Sequence, residues 1–581
     1  MALTKSVKPL HELLLEQGVV TAEQLKTAQA ESAKTGRPLK RVLIQQGLVA
    51  EQDLAALIAG QAGVMSIDLG NYLIKPEVVA LVPEALARKH VMIPVFKIGE
   101  SLTVAMEDPL NFFAVDELRL KTKCEIKTVV ASERSIRQAI DQYYGAAGTV
   151  SDVAQAIREA AVPQQEEDAA NGPSTQATSS AKGPSLGVVP SERSESRNEA
   201  PIIKLVNLLI LQAMKEQASD IHIEPGEGTL RTRFRIDGIL REVNGPPAHL
   251  HSAVTSRIKV LAKLDIAEKR KPQDGRFGLT MEGKAIDLRV STVPTQFGEK
   301  VVLRLLDGAR AFIALEQLGL SEPIRVQVER LIRLPHGIFL VTGPTGSGKT
   351  TTLYAALNLI NSTERNIITI EDPIEYRLPG VNQVQVNPKA DVSFASALRS
   401  FLRQDPDVIM VGEIRDHETA EIAIQAALTG HLVLSTLHTN DAPSSLTRLI
   451  DMGVEPFLIA SSVVGVVAQR LVRTICPKCK AAARPDASLR KEFTLPEDAQ
   501  VFRGKGCPAC GTSGYKGRVA ILEVLPMTEA IKERVVARAP AHTIRETGRQ
   551  AGMRTLREDG LAKVLAGVTT LEETLRVTQL E

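Results

Sequence analysis

The sequence lacks the features that membrane spans, secretory signals and charge-driven nucleic-acid binding require. Its longest weakly polar stretch, residues 457–468, includes two serines and a glycine and is far shorter than the roughly 20 apolar residues of a membrane helix. The first apolar stretch carries His11, Glu12 and Glu16, which interrupt the apolar region of a secretory signal. A formal net charge of +2 gives no general attraction to nucleic acid or anionic lipid. These absences predict a cytoplasmic protein.

Aromatic residues are also scarce. The chain has no tryptophan, and aromatic residues make up 3% of it. Proteins that move single-stranded nucleic acid usually stack its bases on aromatic side chains along a basic groove. The composition therefore argues against a nucleic-acid translocase and predicts no nucleic-acid partner.

Only five cysteines are present, and four of them form two Cys-x-x-Cys pairs. In a cytoplasmic chain this spacing is typical of a metal site rather than of disulfides. Four thiolates fill a tetrahedral zinc site and leave no position for water, so the sequence predicts a structural Zn²⁺. The predicted ligands are Cys476, Cys479, Cys507 and Cys510.

The chain of 581 residues is long enough for several domains. Near the N-terminus, a pattern that begins at Leu10 recurs at Leu39, and each copy predicts a helix ended by Gly18 or Gly47. The spacing Thr21-x-x-Gln24 predicts a capping box at the start of a second helix. Residues 148–199 are rich in small and polar residues and cannot bury a core. The predicted domains are a helical module at 1–64, an α/β domain at 65–147, a flexible linker at 148–199, an α+β domain at 200–310, a second α/β domain at 311–475, a tetracysteine region at 476–525 and a helical region at 526–581.

A phosphate-binding loop lies in the second α/β domain. The string GPTGSGKT follows the apolar run 338–341 and opens a helical pattern, which is the context that a P-loop requires. Backbone N–H groups of such a loop bind phosphates, its lysine reaches the β and γ oxygens, and its threonine can ligate Mg²⁺. The residues predicted to bind nucleotide are Gly343, Pro344, Thr345, Gly346, Ser347, Gly348, Lys349, Thr350 and Thr351.

Carboxylates follow two further strand-like runs. The run 367–370 leads into Glu371, Asp372 and Glu375, any of which could act as general base. The run 408–411 is followed, one residue later, by Glu413, close to where many P-loop enzymes place an aspartate that holds magnesium through water. Strand ends of a parallel sheet meet at one edge, so these groups are predicted to face the phosphates.

Two histidines flank the strand-like run 432–436. They are His431 and His438. Each could contact the γ-phosphate or transmit the release of this phosphate to a neighbouring domain.

Four segments of the sequence resemble those of a known protein family. GPTGSGKTT, ITIEDPIEY, LRQDPDVIMVGEIRD and TGHLVLSTLHTND closely resemble the type II secretion and type IV pilus assembly ATPases, and the similarity extends over about residues 200–525. It implies an α/β fold with a RecA-like P-loop core, a preceding PAS-like α+β domain, N-terminal α and α/β modules and a tetracysteine zinc insert.

The resemblance also implies a function. A homohexamer would hydrolyse ATP with Mg²⁺ to drive assembly of a type IV pilus or a secretion pseudopilus through an inner-membrane platform protein. The N-terminal domains would bind a membrane-recruiting protein, which would hold the enzyme peripherally at the inner membrane. The cysteine module argues for assembly rather than pilus retraction. A nucleic-acid translocase of the RecA-like class is the alternative function.

The resemblance assigns roles that the residues alone leave open. Glu375 would activate water, and Glu413 would lie beside the magnesium. Arginines of the preceding domain would complete a neighbouring subunit's site, with Arg289 and Arg304 better candidates than Arg276.

The helical repeat resembles modules that bind cyclic di-GMP, in which each copy opens with Arg-Leu-Gly. Here the copies open with Pro9-Leu10-His11 and Pro38-Leu39-Lys40. Loss of the arginines removes a guanidinium stack, and loss of the glycines prevents close backbone approach. The sequence therefore favours protein docking over cyclic di-GMP at this module.

Overall fold

The computed structural model describes residues 10–144, 195–307, 314–497 and 499–578. The chain divides into two compact units, Met1–Leu306 and Asp307–Glu581. Most of the predicted linker at 148–199 lies outside the described residues, and its last residues, 195–199, form the start of a helix. No described helix has both the length and the hydropathy that crossing a membrane requires.

The N-terminal repeat folds into four helices. Gly18 and Gly47 have φ of 66° and 67°, the left-handed conformation that was predicted to end the first helix of each copy. The predicted capping box also forms, because the Gln24 amide donates to Thr21 Oγ1 (3.3 Å) and the Thr21 amide donates to Gln24 Oε1 (2.9 Å). The helices are α1 (Leu10–Glu16), α2 (Ala22–Thr35), α3 (Leu39–Gln45) and α4 (Glu51–Ala62).

A small α/β domain follows. Its three-stranded sheet has the order β2-β3-β4, in which β2 and β3 are antiparallel and β3 and β4 are parallel. Helix α8 packs on β2 and β3 through the buried Ile136 and Ile140. The elements are β1 (Tyr72–Leu73), α5 (Pro76–Val79), α6 (Glu84–His90), β2 (Met92–Ile98), β3 (Ser101–Met106), α7 (Phe112–Thr122), β4 (Glu125–Val130) and α8 (Glu133–Tyr144).

The next domain is built on a largely antiparallel sheet of order β1-β8-β9-β10-β5-β6-β7, to which the preceding domain contributes β1. Alternation along β6 puts the buried Phe234 on the core face and Arg231, Arg233 and Arg235 on the other face. Its elements are α9 (Glu195–Lys215), β5 (Asp220–Gly226), β6 (Thr229–Ile236), β7 (Ile239–Val243), α10 (His251–Leu261), β8 (Gln273–Met281), β9 (Lys284–Thr295) and β10 (Gly298–Asp307).

The second unit contains a seven-stranded sheet of order β13-β12-β14-β15-β11-β16-β19. All neighbouring strands are parallel except β16 and β19, so the predicted α/β class and parallel sheet are confirmed. The first elements are α11 (Glu322–Ile332), β11 (Gly337–Thr342), α12 (Lys349–Ile360), β12 (Ile367–Glu371), β13 (Asn382–Gln385), α13 (Phe394–Phe401), β14 (Val408–Val411), α14 (His417–Leu428), β15 (Leu432–Leu437), α15 (Ala442–Asp451), α16 (Pro456–Ser462) and β16 (Val463–Ile475).

Strand β11 is central to this sheet and is buried along its whole length. Ile338 and Leu340 belong to the apolar core on one face, and Phe339 and Val341 belong to the core on the other. Both faces must therefore be covered by helices, which is typical of parallel sheets.

The cysteine region is inserted between the last two strands of this sheet, β16 and β19. Strand β16 ends before the first cysteine, and β19 returns antiparallel to it after the last. The C-terminal helices pack on the same core through Ile531 and Ile544, so residues 515–578 continue the second unit. The elements are β17 (Lys480–Ala483), α17 (Ala487–Glu492), β18 (Val501–Gly504), β19 (Tyr515–Pro526), α18 (Glu529–Val536), α19 (Ala541–Gln550), α20 (Leu556–Leu565) and α21 (Leu571–Thr578).

Candidate active site and metal centre

The phosphate loop joins the buried end of β11 to the first turn of α12. Gly346 and Gly348 have φ of 80° and 90°, which side chains rarely adopt. A Cβ on Gly343 would lie 2.6 Å from the Gln469 carbonyl oxygen, and a Cβ on Gly348 would lie 2.8 Å from Gln469 Nε2. The glycines are therefore required both for the backbone path and for the close approach of β16.

Gln469 holds the loop in place and was missed by sequence analysis. Its Nε2 donates to the Ser347 carbonyl oxygen (2.9 Å), and its Oε1 accepts from Thr352 Oγ1 (2.7 Å). The side chain is 1% exposed. A glutamine that directly follows the apolar run 463–468 of a buried strand is the signal that could have revealed this role, since buried amides require partners.

Lys349 lies inside the loop. Its Nζ donates to the carbonyl oxygens of Gly343 (2.7 Å) and Pro344 (3.2 Å). Burial lowers the pKa of Lys349, the charge of Glu413 opposes this, and the charge of Arg470 adds to the lowering. The ammonium is thus held where nucleotide phosphates bind to a P-loop.

The carboxylates after β12 have different surroundings. Glu371 is 3% exposed; its Oε2 accepts from the Tyr354 hydroxyl, and its Oε1 accepts from Thr369 Oγ1 (2.7 Å) and Gln383 Nε2 (3.0 Å). Three donors already use this carboxylate, so it stabilises the strand end. Asp372 is exposed and Glu375 is half-buried. Glu371 is therefore engaged structurally, and the role of Glu375 as general base stays a prediction.

Glu413 and His438 lie together at the carboxyl ends of β14 and β15. Glu413 Oε2 is 3.0 Å from His438 Nε2, and its Oε1 accepts from Arg415. Burial would raise the pKa of Glu413, but the hydrogen bonds and charges of Arg415 and His438 lower it. The carboxylate is therefore ionised, as a ligand or partner of Mg²⁺ must be.

His431 lies at the other end of β15. Its carbonyl accepts from the Gly337 amide (3.1 Å), at the start of β11, and its Nδ1 lies 2.8 Å from the Ala426 carbonyl oxygen. The phosphate loop follows the opposite end of β11. The structure therefore does not bring His431 to the γ-phosphate position of its own chain, and a contact with another domain stays a prediction.

The candidate arginines lie in the first unit. Arg304 Nε donates to Asp220 Oδ1 (2.9 Å), while its side chain is 56% exposed. Arg289 on β9 is directly opposite Arg276 on β8. Their action across a subunit boundary stays a prediction.

The four cysteines form a compact cluster, with all four Sγ atoms within 4.8 Å of one another. The Sγ–Sγ distances are 3.8 Å for Cys476 and Cys507, 3.9 Å for Cys479 and Cys510 and 3.7 Å for Cys507 and Cys510. Tetrahedral zinc with bonds of about 2.3 Å requires sulfur separations of about 3.8 Å. The cluster therefore fits Zn²⁺.

The fold and this site define a P-loop ATPase with a RecA-like parallel sheet. The chain belongs to the type II/IV secretion system protein family, whose family model matches residues 195–576. A second model, the MshEN domain, matches residues 62–150.

Relatives support this membership over the whole chain. It is 45% identical over 575 residues to the type IV pilus assembly ATPase PilB of Myxococcus xanthus, with 97% of this chain and 98% of that protein covered. It is 43% identical over 581 residues to the type II secretion system protein E of Xanthomonas campestris, with 98% of each covered. The type II secretion system ATPase E of Vibrio cholerae is 55% identical over 387 residues, which cover 66% of this chain and 77% of that protein.

The different surroundings of Glu371 and Glu375 generate a test. We expect Glu375→Gln to bind ATP but to lower turnover by about 10² to 10⁴, the usual contribution of a general base. Glu371→Gln should lose about 1–3 kcal/mol of stability, because the new amide cannot accept from all three donors. Trapped-nucleotide and thermal-unfolding measurements compare the two. ATP trapping by Glu371→Gln but not by Glu375→Gln would contradict the assignment.

The cysteine cluster generates a second test. Protein purified without chelator should contain one zinc per chain by elemental analysis, and Cys479→Ser should increase hydrogen exchange in residues 476–525, because metal binding contributes local folding energy. Cys124→Ala removes a buried thiol outside the cluster and is the control. Absence of zinc, or two disulfides by mass spectrometry, would exclude the zinc site.

Proposed function

We propose that this chain is a cytoplasmic motor that hydrolyses ATP to drive assembly of a type IV pilus or a type II secretion pseudopilus. The observation that carries this proposal is the convergence of the phosphate loop, Glu413 and His438 at one edge of a parallel sheet. The relatives that match nearly the whole chain are named as a type IV pilus assembly ATPase and a type II secretion system protein. Fibre assembly is therefore favoured over nucleic-acid translocation.

In the proposed reaction, Glu375 accepts a proton from the water that attacks the γ-phosphorus. The bond between that phosphorus and the bridging oxygen breaks, and ADP leaves. Lys349 stabilises charge on the phosphate oxygens, and Thr350 and Glu413 would hold Mg²⁺. When bound, Mg²⁺ neutralises charge on the β- and γ-phosphates.

The working assembly is proposed to be a homohexamer attached to the inner membrane through partners. Arg289 and Arg304 would enter the site of a neighbouring subunit, where an arginine can contribute about 10³ to 10⁵ in rate. The exposure of Arg304 supports this arrangement, since a side chain that acts on a neighbour must be accessible.

The N-terminal module is proposed to dock a membrane-recruiting protein. Lys40, at the opening of the second repeat, pairs with Glu107, and Arg41 pairs with Glu133 (2.9 Å). The cavity at this junction is lined by Glu51, Glu107 and Glu133 and also by Lys40 and Arg41. These two cations are already paired with carboxylates, which disfavours a phosphodiester. Cyclic di-GMP stays the second candidate for this module, and titration calorimetry with that nucleotide decides between them.

An ATPase assay tests the motor function. Turnover should be stimulated by inner-membrane vesicles that carry the platform protein and should be unchanged by single-stranded DNA. Lys349→Ala should abolish turnover without unfolding the chain, because it removes only the loop cation. Stimulation by DNA but not by vesicles would favour the translocase. Deletion of the gene, scored for surface pili and for secreted enzymes, distinguishes the two fibres.

Mixed rings test the arginines. Arg289→Ala or Arg304→Ala should slow turnover, and mixing either variant with Lys349→Ala subunits should partly restore it, because an intact loop can then meet a neighbour's intact arginine. Arg231→Ala, on the polar face of β6, is the control and should leave turnover unchanged. Mixed hexamers without any restored turnover would exclude action in trans.

A further inference from the structure

An arginine that the proposed reaction does not use lies beside the phosphate loop. Strand β16 is parallel to β11, and Thr342, the last residue of β11, is paired with Ala468. The two residues that follow on β16, Gln469 and Arg470, therefore extend past the end of β11. Arg470 is only 9% exposed, and a buried guanidinium is costly unless its donors are used.

The Arg470 guanidinium connects two loops. Nη1 donates to the Gln469 carbonyl oxygen (3.1 Å) and lies 3.1 Å from the position that a Cβ on Gly343 would take. Nη2 donates to the Asn440 carbonyl oxygen (2.8 Å). Nη1 therefore binds the backbone of Gln469 and lies beside Gly343 of the phosphate loop. Nη2 binds residues 438–441, which we call the histidine loop.

The histidine loop connects Glu413 with the end of β11, where the phosphate loop begins. At its start, His438 contacts Glu413 (3.0 Å). In its middle, the hydroxyls of Thr439 and Thr342 are 2.7 Å apart, and Thr439 Oγ1 also lies 2.6 Å from Ser445 Oγ. The carbonyl that Arg470 binds is only two residues from His438, so a displacement of this carbonyl would displace the histidine.

We propose that Arg470 is a positioning residue of the ATPase site, which ties the histidine loop to the phosphate loop and so keeps His438 against Glu413. This inference rests on the roles proposed above for His438 and Glu413. It adds a cation supplied by the same chain, in contrast to Arg289 and Arg304, which are proposed to act on a neighbour.

The chemistry of the contact favours arginine over lysine at this position. A planar guanidinium can donate in two fixed directions at once, whereas an ammonium is a compact point charge. The contact also brings a second positive charge near Lys349, whose pKa is lowered partly by Arg470. Such a like-charge approach costs free energy, which the hydrogen bonds from Arg470 to the Gln469 and Asn440 carbonyl oxygens offset.

The alternative role is direct binding of nucleotide phosphates. A phosphate ligand and a positioning residue differ in their kinetics, because loss of a ligand common to ground state and transition state raises KM, whereas misplacement of catalytic groups lowers kcat. Arg470→Lys retains the positive charge but loses the planar guanidinium that donates in two directions. The kinetics of this variant therefore distinguish the two roles.

The test compares Arg470→Lys, His438→Gln and the double variant in steady-state ATP hydrolysis by the full chain. We expect Arg470→Lys to lower kcat by about tenfold or more and to change the KM for ATP by less than about threefold. His438→Gln should also lower kcat, and the double variant should be no slower than the slower single variant, because residues that act as a unit are not additive.

Arg325→Lys is the matched control. Arg325 is half-buried and ion-paired, and it binds Glu322 and Glu329 on its own helix α11, so the kcat and KM of this variant should equal those of the wild type. If Arg470→Lys does not fold, Thr439→Val replaces it, because valine keeps the shape of threonine but removes the bonds to Thr342 and Ser445. It should show the same loss of kcat and the same non-additivity with His438→Gln.

Three results would overturn the inference. Effects of Arg470→Lys and His438→Gln that multiply would show that the residues act independently. A rise in KM with unchanged kcat would assign Arg470 to phosphate binding. Wild-type kcat in His438→Gln would show that the position of His438 does not matter for turnover, and the proposed role of Arg470 would then be wrong. The ATPase function itself is tested separately by Lys349→Ala.

Discussion

The close approach of strand β16 to the phosphate loop is the contact on which the rest of the site depends. The Gln469 carbonyl oxygen leaves no room for a Cβ on Gly343, and the Gln469 side chain would have to move for a Cβ on Gly348. The Gln469 amide joins Ser347 to Thr352 across the start of α12. The loop is therefore shaped from outside as well as by its own glycines. Because a buried amide must satisfy its donors and acceptor, this clamp also fixes the register between β16 and the loop.

Parallel topology then brings distant residues into one site. Strands β11, β12, β14 and β15 all point the same way, so the loop, the acidic segment after β12, Glu413 and His438 follow the same edge. Parallel strands require long crossovers, which separate these groups widely in sequence. The site is thus a property of the sheet and depends on the register of each strand.

The same sheet connects the chemistry to the C-terminal part of the chain. Strand β16 continues into the cysteine region, and β19 returns from it to pair with β16. Helix α15 follows the histidine loop directly, and its N-cap Asp441 accepts from Arg545 on α19 (2.8 Å). A movement at the phosphate edge therefore has a short structural route to the C-terminal helices.

The sequence by itself determined those features that arise from local chemistry. The P-loop string, the glycines that end the repeat helices, the Thr21 capping box and the paired cysteines all act through neighbours along the chain, so their spacing was sufficient. Tertiary structure alone decided which carboxylate was already used by buried donors, as Glu371 is, and that His431 and His438 lie at opposite ends of one strand. It also decided that Gln469 and Arg470 lie beside the phosphate loop. Those outcomes depend on which strand lies beside the loop, and no local pattern encodes the neighbour of a strand.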